Sequence, residues 1–329
     1  MGNNGYSIAL IGAGQLGSRH LQGLARIDIP VAITVVDPSG DSLEVARKRF
    51  EEIPANSNIA RIDFSTSMAD LPASADLCIV ATNADVRAGV IRDAVVRGAV
   101  NRVILEKVLF QDINDYKEIS ELFRHHGVLA YVNCPRRVYP FYLAMKELLT
   151  NRRRLMFEVA GSHWNMASNA IHLLDLFAFL AGGDRIEITE ALLDREVMAS
   201  KRAGYIEFTG SIGGTIMPDH RFRICALKEA GHAETITIEN EEVKIVVTES
   251  ERKALVAWGG SGAPPEEKQV DCPFQSQLTA DVARDLLLND RCGLTRYEES
   301  ERLHVPMLKA FLAHLASLDG HERTTCPIT

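Results

Sequence analysis

The sequence lacks any apolar run long enough to cross a membrane, any Cys-x-x-Cys pair and any surplus of positive charge. Each absence removes a class of function. With 36 Lys and Arg against 44 Asp and Glu, a net charge of −8 and a pI of about 5.7, there is no electrostatic footprint for nucleic acid or an anionic membrane surface. Six cysteines (Cys78, Cys134, Cys225, Cys272, Cys292 and Cys326) lie far apart, and no histidines cluster at zinc spacing. They read as reduced and mostly structural, and no metal is expected. Met1 to Gly5 lacks the basic and apolar regions of a signal peptide, so the expected location is cytoplasmic. No internal repeat is visible. At 329 residues, 46% of them hydrophobic, length favours two domains with a small-molecule partner.

What is present begins with alternation. Apolar runs at Tyr6 to Ile11, Ala32 to Val36, Leu77 to Ala81, Arg102 to Leu105 and Val128 to Val132 predict strands. Between them Gln15 to Ala25, Ser42 to Phe50, Asp85 to Arg97 and Asp112 to His126 carry apolar residues at helical spacing. That is the pattern of a doubly wound parallel sheet. After a helix from Pro140 to Thr150 the periodicity changes. Leu155 to Ala160, Glu187 to Leu193, Gly204 to Phe208, Thr215 to Met217, Phe222 to Leu227, Glu234 to Ile238 and Val243 to Thr248 read as strands, mostly without intervening helices. Helices are expected at Asn169 to Ala181, Ser276 to Asn289 and Ser300 to Ser317, and Gly259 to Pro265 reads as a loop. The expected architecture is α/β over 1–133, followed by an α+β domain over 134–329 with a large open, mostly antiparallel sheet.

Gly12-Ala-Gly14-Gln15-Leu16-Gly17 follows the first strand and opens a helix. In that context Gly-x-Gly-x-x-Gly is the fingerprint of dinucleotide binding, with the pyrophosphate on the helix N-terminus. Asp37 closes the next strand, where a carboxylate accepts from the adenosine ribose and repels a 2′-phosphate. NAD is therefore favoured over NADP. Arg19 and Arg47 are the residues that keep NADP open.

The stretch from Gly12 to His20, Ala81-Thr82-Asn83 and Glu106-Lys107 together resemble the glucose-fructose oxidoreductase / inositol dehydrogenase family, Gfo/Idh/MocA. The resemblance covers the first 150 residues well and the rest by layout. It implies a Rossmann domain joined to an open antiparallel sheet, a homodimer or homotetramer formed through that sheet, and hydride transfer at a carbon of a sugar, sugar derivative or nucleotide sugar. It implies cofactor contacts from the glycine loop, Asp37, Ala81, Thr82, Asn83, Glu106 and Lys107.

Lys107 matches the lysine of the family's Glu-Lys-Pro motif, between nicotinamide and substrate, where a cation stabilises a developing alkoxide. Val108 replaces the proline, and the preceding peptide bond is either cis or trans. His172 matches the family's acid–base histidine, while Ser168 stands where an aspartate is expected. Asp175, on the same helix face, is a candidate to orient the imidazole instead. His163, Trp164 and Asn165 are expected to line the substrate pocket. Asn133, Arg136 and Arg137 resemble the family's Asn-Arg-Arg-x-x-Pro segment and are candidates to hold an anionic substrate group. Val108 and Ser168 also keep a second reading open, a non-catalytic NAD-binding regulator of the same fold.

Overall fold

A computed structural model of the chain describes residues 5–98, 100–149, 154–217, 219–260 and 262–329. Met1 to Asn4 and Thr150 to Arg153 lie outside the described residues, and with them the first two arginines of the Arg152-Arg153-Arg154 run, which by sequence favours the C-terminal end of the preceding helix through its dipole. The chain divides into two compact units. The first comprises 1–110, 114–133 and 273–297, and the second 111–113, 134–272 and 298–329. Pro273 to Tyr297, expected in the second domain, packs with the first unit instead.

In the first unit, β1 (Tyr6–Ile11), α1 (Gln15–Leu24), β2 (Val31–Val36), α2 (Gly40–Glu51), β3 (Ile59–Ser65), β4 (Leu77–Val80), α3 (Ala84–Val96), β5 (Arg102–Leu105), α4 (Ile113–His126) and β6 (Leu129–Val132) follow in order. The strands pair in parallel as β3-β2-β1-β4-β5-β6, and a short strand at Thr295–Arg296 adds antiparallel to β6. The order reverses between β1 and β4, the switch point at which doubly wound sheets bind ligands. Central strands covered on both faces read as unbroken apolar runs. Ile8, Leu10, Ile33, Val35, Leu77 and Ile79 are all 0% exposed, each contributing about 1.5–3 kcal/mol of transfer free energy. β3 escaped the sequence reading because it is an edge strand whose Arg61 and Asp63 pair at the surface, 2.7 Å apart. A helix over Gln275–Asn289 packs on α1.

The second unit contains α5 (Pro140–Leu149), β7 (Met156–Ser162), α6 (Met166–Ala181), β8 (Ile186–Leu193), β9 (Met198–Ala199), β10 (Ile206–Glu207), β11 (Gly210–Ile216), β12 (His220–Leu227), β13 (Thr235–Glu239), β14 (Val243–Thr248), β15 (Lys253–Trp258) and β16 (Glu266–Gln269). Eight strands form one sheet in the order β16-β15-β14-β13-β7-β12-β11-β8. Every pair is antiparallel except β7 with β12, which is parallel. α6 is apolar around most of its circumference because it is buried in this unit, where Phe177 meets Phe157 and Phe222 with centroids 5.4 Å apart in each case. The strand expected at Gly204 to Phe208 is reduced to β10, paired with β9. That expected at Thr215 to Met217 runs back to Gly210 through a glycine-rich stretch. No helix of the described residues is long and apolar enough to cross a membrane.

Candidate functional site

Gly12 has φ +94°, and a Cβ there would lie 2.8 Å from the Ala81 carbonyl carbon. A Cβ on Gly17 would lie 1.8 Å from the Gly12 oxygen, so only glycine lets α1 pack against the turn. Gly14 differs: nothing lies within 4 Å of its missing Cβ, and as N-cap of α1 it provides no side-chain cap. The N-terminus of α1 thus has no side-chain cap and open space beside Gly14, as an anion cradle requires. Gln15 is exposed and Leu16 half-buried. Among the described residues, the buried Thr82 hydroxyl beside this turn has no hydrogen-bond partner. Open glycine, uncapped helix and orphaned hydroxyl all fit a dinucleotide.

Asp37 stands at the end of β2, its Oδ2 accepting from Ala13 N–H at 2.6 Å and its Oδ1 from Ser39 N–H at 2.8 Å. Two acceptor sites per oxygen leave room for a ribose hydroxyl. The arginines that held NADP open are engaged elsewhere: Arg19 donates to Gln22 at 2.8 Å, and Arg47 lies over the Phe64 ring at 4.1 Å. Arg49 reaches the loop instead, donating to the Gln15 carbonyl at 3.1 Å and its side-chain oxygen at 2.9 Å.

Strand register aligns the three motifs of this unit. Ile11 pairs with Val80, and Val80 with Leu105. Continuing one and two residues past those strands gives Gly12, Ala81 and Glu106, then Ala13, Thr82 and Lys107, along a single carboxyl edge. Asn83 is the N-cap of α3 at that edge, and its side chain makes no capping hydrogen bond to the first turn. Lys107 is half-buried, and the Lys107–Val108 peptide bond is cis. Arg87, 1% exposed, donates to the carbonyls of Thr82, Val108 and Leu109 and so ties together the segments after β4 and β5. Sequence reasoning missed Arg87. Its signal was a lone arginine on the apolar face of α3, three residues after Ala84 and four before Ile91.

Glu106, read as a cofactor contact, is 3% exposed and turned inward. Its Oε1 meets His20 Nε2 at 2.7 Å and accepts from Asn133 Nδ2 at 2.5 Å. His20 Nδ1 meets Thr279 Oγ1 at 3.0 Å, and Asn133 also donates to Gln275 at 2.8 Å. Asn133, expected to touch substrate, is buried and braces Glu106, the residue before Lys107. Burial opposes the charge of Glu106, but the hydrogen bond and charge of His20, the Asn133 bond and the field of Arg87 hold its carboxyl below the ordinary value of 4.5. A folded-state value below the unfolded one means that this stabilisation is present above pH 4.5 and is lost as pH falls through the folded value. Glu106→Gln keeps an acceptor for both donors and is expected to flatten the fall in melting temperature below about pH 4.5. A fall as steep as in the parent contradicts this.

In the second unit, both candidate anion-binding arginines are committed to carboxylates. Arg136 forms a two-pronged pair with Glu249 at 2.9 and 2.6 Å, and Tyr142 donates to the same carboxylate at 2.7 Å. Burial opposes that charge, but Arg136 and Tyr142 outweigh it and hold Glu249 below the usual carboxylate range. Arg137 donates to Asp175 at 2.7 Å and to Glu299 at 3.2 Å. Asp175, the candidate to orient the imidazole, is 0% exposed and carries this ion pair with Arg137 in the core. Trp164 is likewise no exposed wall: it is 8% exposed and its indole N–H donates to the Cys225 carbonyl at 3.0 Å. His163 is exposed with φ 55°, and Asn165, φ 59°, is the N-cap of α6. His172 is half-buried, one turn into α6 from Ser168. The Ser168 hydroxyl donates to Glu207, a residue the sequence reading did not single out.

Residues 6–134 match the Gfo/Idh/MocA model, described as the oxidoreductase family with an NAD-binding Rossmann fold. No curated protein matches the sequence. A UDP-N-acetylglucosamine 3-dehydrogenase from Acidithiobacillus ferrooxidans has a similar structure, with TM-score 0.67 at 16% identity over 95% of this chain and 99% of that one. An oxidoreductase from Agrobacterium radiobacter in complex with NAD+, L-tartaric acid and magnesium gives 0.69 at 13% identity over 96% and 97%. A levoglucosan dehydrogenase in complex with NADH and levoglucosan gives 0.68 at 12% identity over 95% and 98%. At these identities the likeness is one of fold. The N-terminal domain is thus an NAD-binding Rossmann domain of the Gfo/Idh/MocA oxidoreductase family.

Proposed function

We propose that the chain is an NAD-dependent oxidoreductase that moves a hydride between nicotinamide and a carbinol or carbonyl carbon of a sugar, sugar derivative or nucleotide sugar. The observation that carries this reading is the register of β1, β4 and β5, which lines up the glycine loop, the orphaned Thr82 hydroxyl and Lys107 along one edge. The glycine loop, Asp37 and the 81–83 turn hold NAD, which when bound supplies the hydride acceptor or donor. Lys107 stabilises negative charge developing on the substrate oxygen, and His172 takes or returns the hydroxyl proton. With Arg136 and Arg137 both held by carboxylates, a neutral polyhydroxyl substrate is favoured over one needing a phosphate contact from them. Two proteins of similar structure are, by name, dehydrogenases of a nucleotide sugar and of levoglucosan, which supports the same class. The homodimer or homotetramer implied by the family resemblance belongs to the same proposal.

The test is nicotinamide absorbance with NAD or NADH and a panel of sugars, cyclitols and nucleotide sugars. Turnover with at least one panel member, and a preference for NAD over NADP of about tenfold or more (~1.4 kcal/mol), is expected because Asp37 repels a 2′-phosphate. Tight NAD binding with silence across the panel favours the sensor reading.

A further inference from the structure

α6 begins without a cap of its own. Asn165 at its N-cap is left-handed and makes no side-chain hydrogen bond to the first turn, so the N–H groups there need acceptors from elsewhere. They find them on Glu207 in β10, 2% exposed. Its Oε2 accepts from Ala167 N–H at 2.8 Å and Ser168 N–H at 3.4 Å, and its Oε1 from the Ser168 hydroxyl. Glu207 is itself held in place: β10 pairs with β9, and Ile206 N–H donates to the Pro327 carbonyl at 2.9 Å. A buried carboxylate is tolerated where donors converge on it, and these converge at the positive end of a helix.

Ser168 and His172 are four residues apart on α6, so they share a face and are separated by about 6 Å of helix rise. We propose that Glu207 is a positioning residue for His172. It fixes the first turn of the helix that carries the imidazole, and it places a negative charge one turn before it. That charge favours the protonated imidazole and so strengthens His172 as an acceptor of the substrate proton. The proposal rests on the reading of His172 as the proton carrier.

The other charged groups around α6 are the same in every variant compared. Asp175 of α6 is matched by Arg137, from the turn at Pro135–Val138. From α5, Lys146 donates to the Leu180 carbonyl at the far end of the helix, Tyr142 is bound to Glu249, and Glu147 is exposed. On β12, Phe222 and Ile224 are buried while Arg221 and Arg223 lie on the exposed face, and His220 accepts from Leu155 N–H. Cys326, in the field of Glu207, keeps a neutral thiol because burial pushes it up to about 12.

The experiment is an NMR titration of the histidines in the full chain, with His172 assigned by the signal missing in His172→Ala. Glu207→Gln is expected to lower the His172 pKa by about half a unit or more, and adding Ser168→Asp to that variant, which returns a carboxylate to the same turn, is expected to raise it again. A purely structural cap predicts a lower melting temperature with an unchanged titration, and that result overturns the proposal. If Glu207→Gln does not fold, Glu207→Asp carries the test. Its carboxylate is retracted from Ser168 and is expected to give a smaller shift in the same direction; an unchanged titration again overturns the proposal. Wild-type turnover in His172→Ala would instead sink the proton-carrier reading on which the proposal rests.

Discussion

Replacing Gly17 by alanine is expected to destabilise the first unit by about 3 kcal/mol and to abolish NAD binding, because the new methyl would overlap the Gly12 carbonyl oxygen at 1.8 Å. A backbone oxygen in a tight turn cannot swing aside as a flexible side chain can. Gly14→Ala is the informative partner. Its Cβ meets nothing within 4 Å, so the protein should melt as the parent does. The same methyl would occupy the space through which a pyrophosphate approaches the N-terminus of α1, so NAD affinity should fall about tenfold or more (~1.4 kcal/mol). Thermal melting and titration calorimetry separate the two effects. Unaltered NAD affinity in Gly14→Ala would mean that the open face of this glycine is not the cradle.

His172→Ala and Lys107→Ala are each expected to reduce turnover by about 10²–10⁴-fold, the range for removing a positioned acid–base or oxyanion-stabilising group. NAD affinity should change little in His172→Ala, because the cradle lies wholly in the first unit. The loss should therefore appear in kcat and not in cofactor binding. Full turnover in either variant would remove that residue from the mechanism.

The parallel half of the fold was legible because each central strand, covered on both faces, reads as a short apolar run between helical segments. The strand order itself came from the structure. The edges were not legible. β16 is exposed at every position, and β15 follows a turn made by Arg252 in the left-handed region, where the sequence offers no glycine or asparagine to mark it. The glycine loop, Asp37 and Lys107 could be located at strand ends because each closes or follows an apolar run in the sequence. The sites that differ from expectation depend on partners far along the chain. Nothing around Glu106 announces His20, nothing around Arg136 announces Glu249, and nothing around Ser168 announces Glu207. Charged residues that look like ligand contacts one at a time become internal ion pairs once the fold brings their counter-charges to them.

The central claim is hydride exchange with a substrate carbon, and isotope transfer tests it most directly. The protein would be incubated with NADH deuterated at the nicotinamide C4 position and a panel of keto-sugars, and the products read by mass spectrometry. Deuterium on the former carbonyl carbon in the parent, absent with Lys107→Ala and His172→Ala, is the predicted result. Bound NADH with no deuterium on any panel member would contradict the claim and leave a nucleotide-binding regulator as the better description.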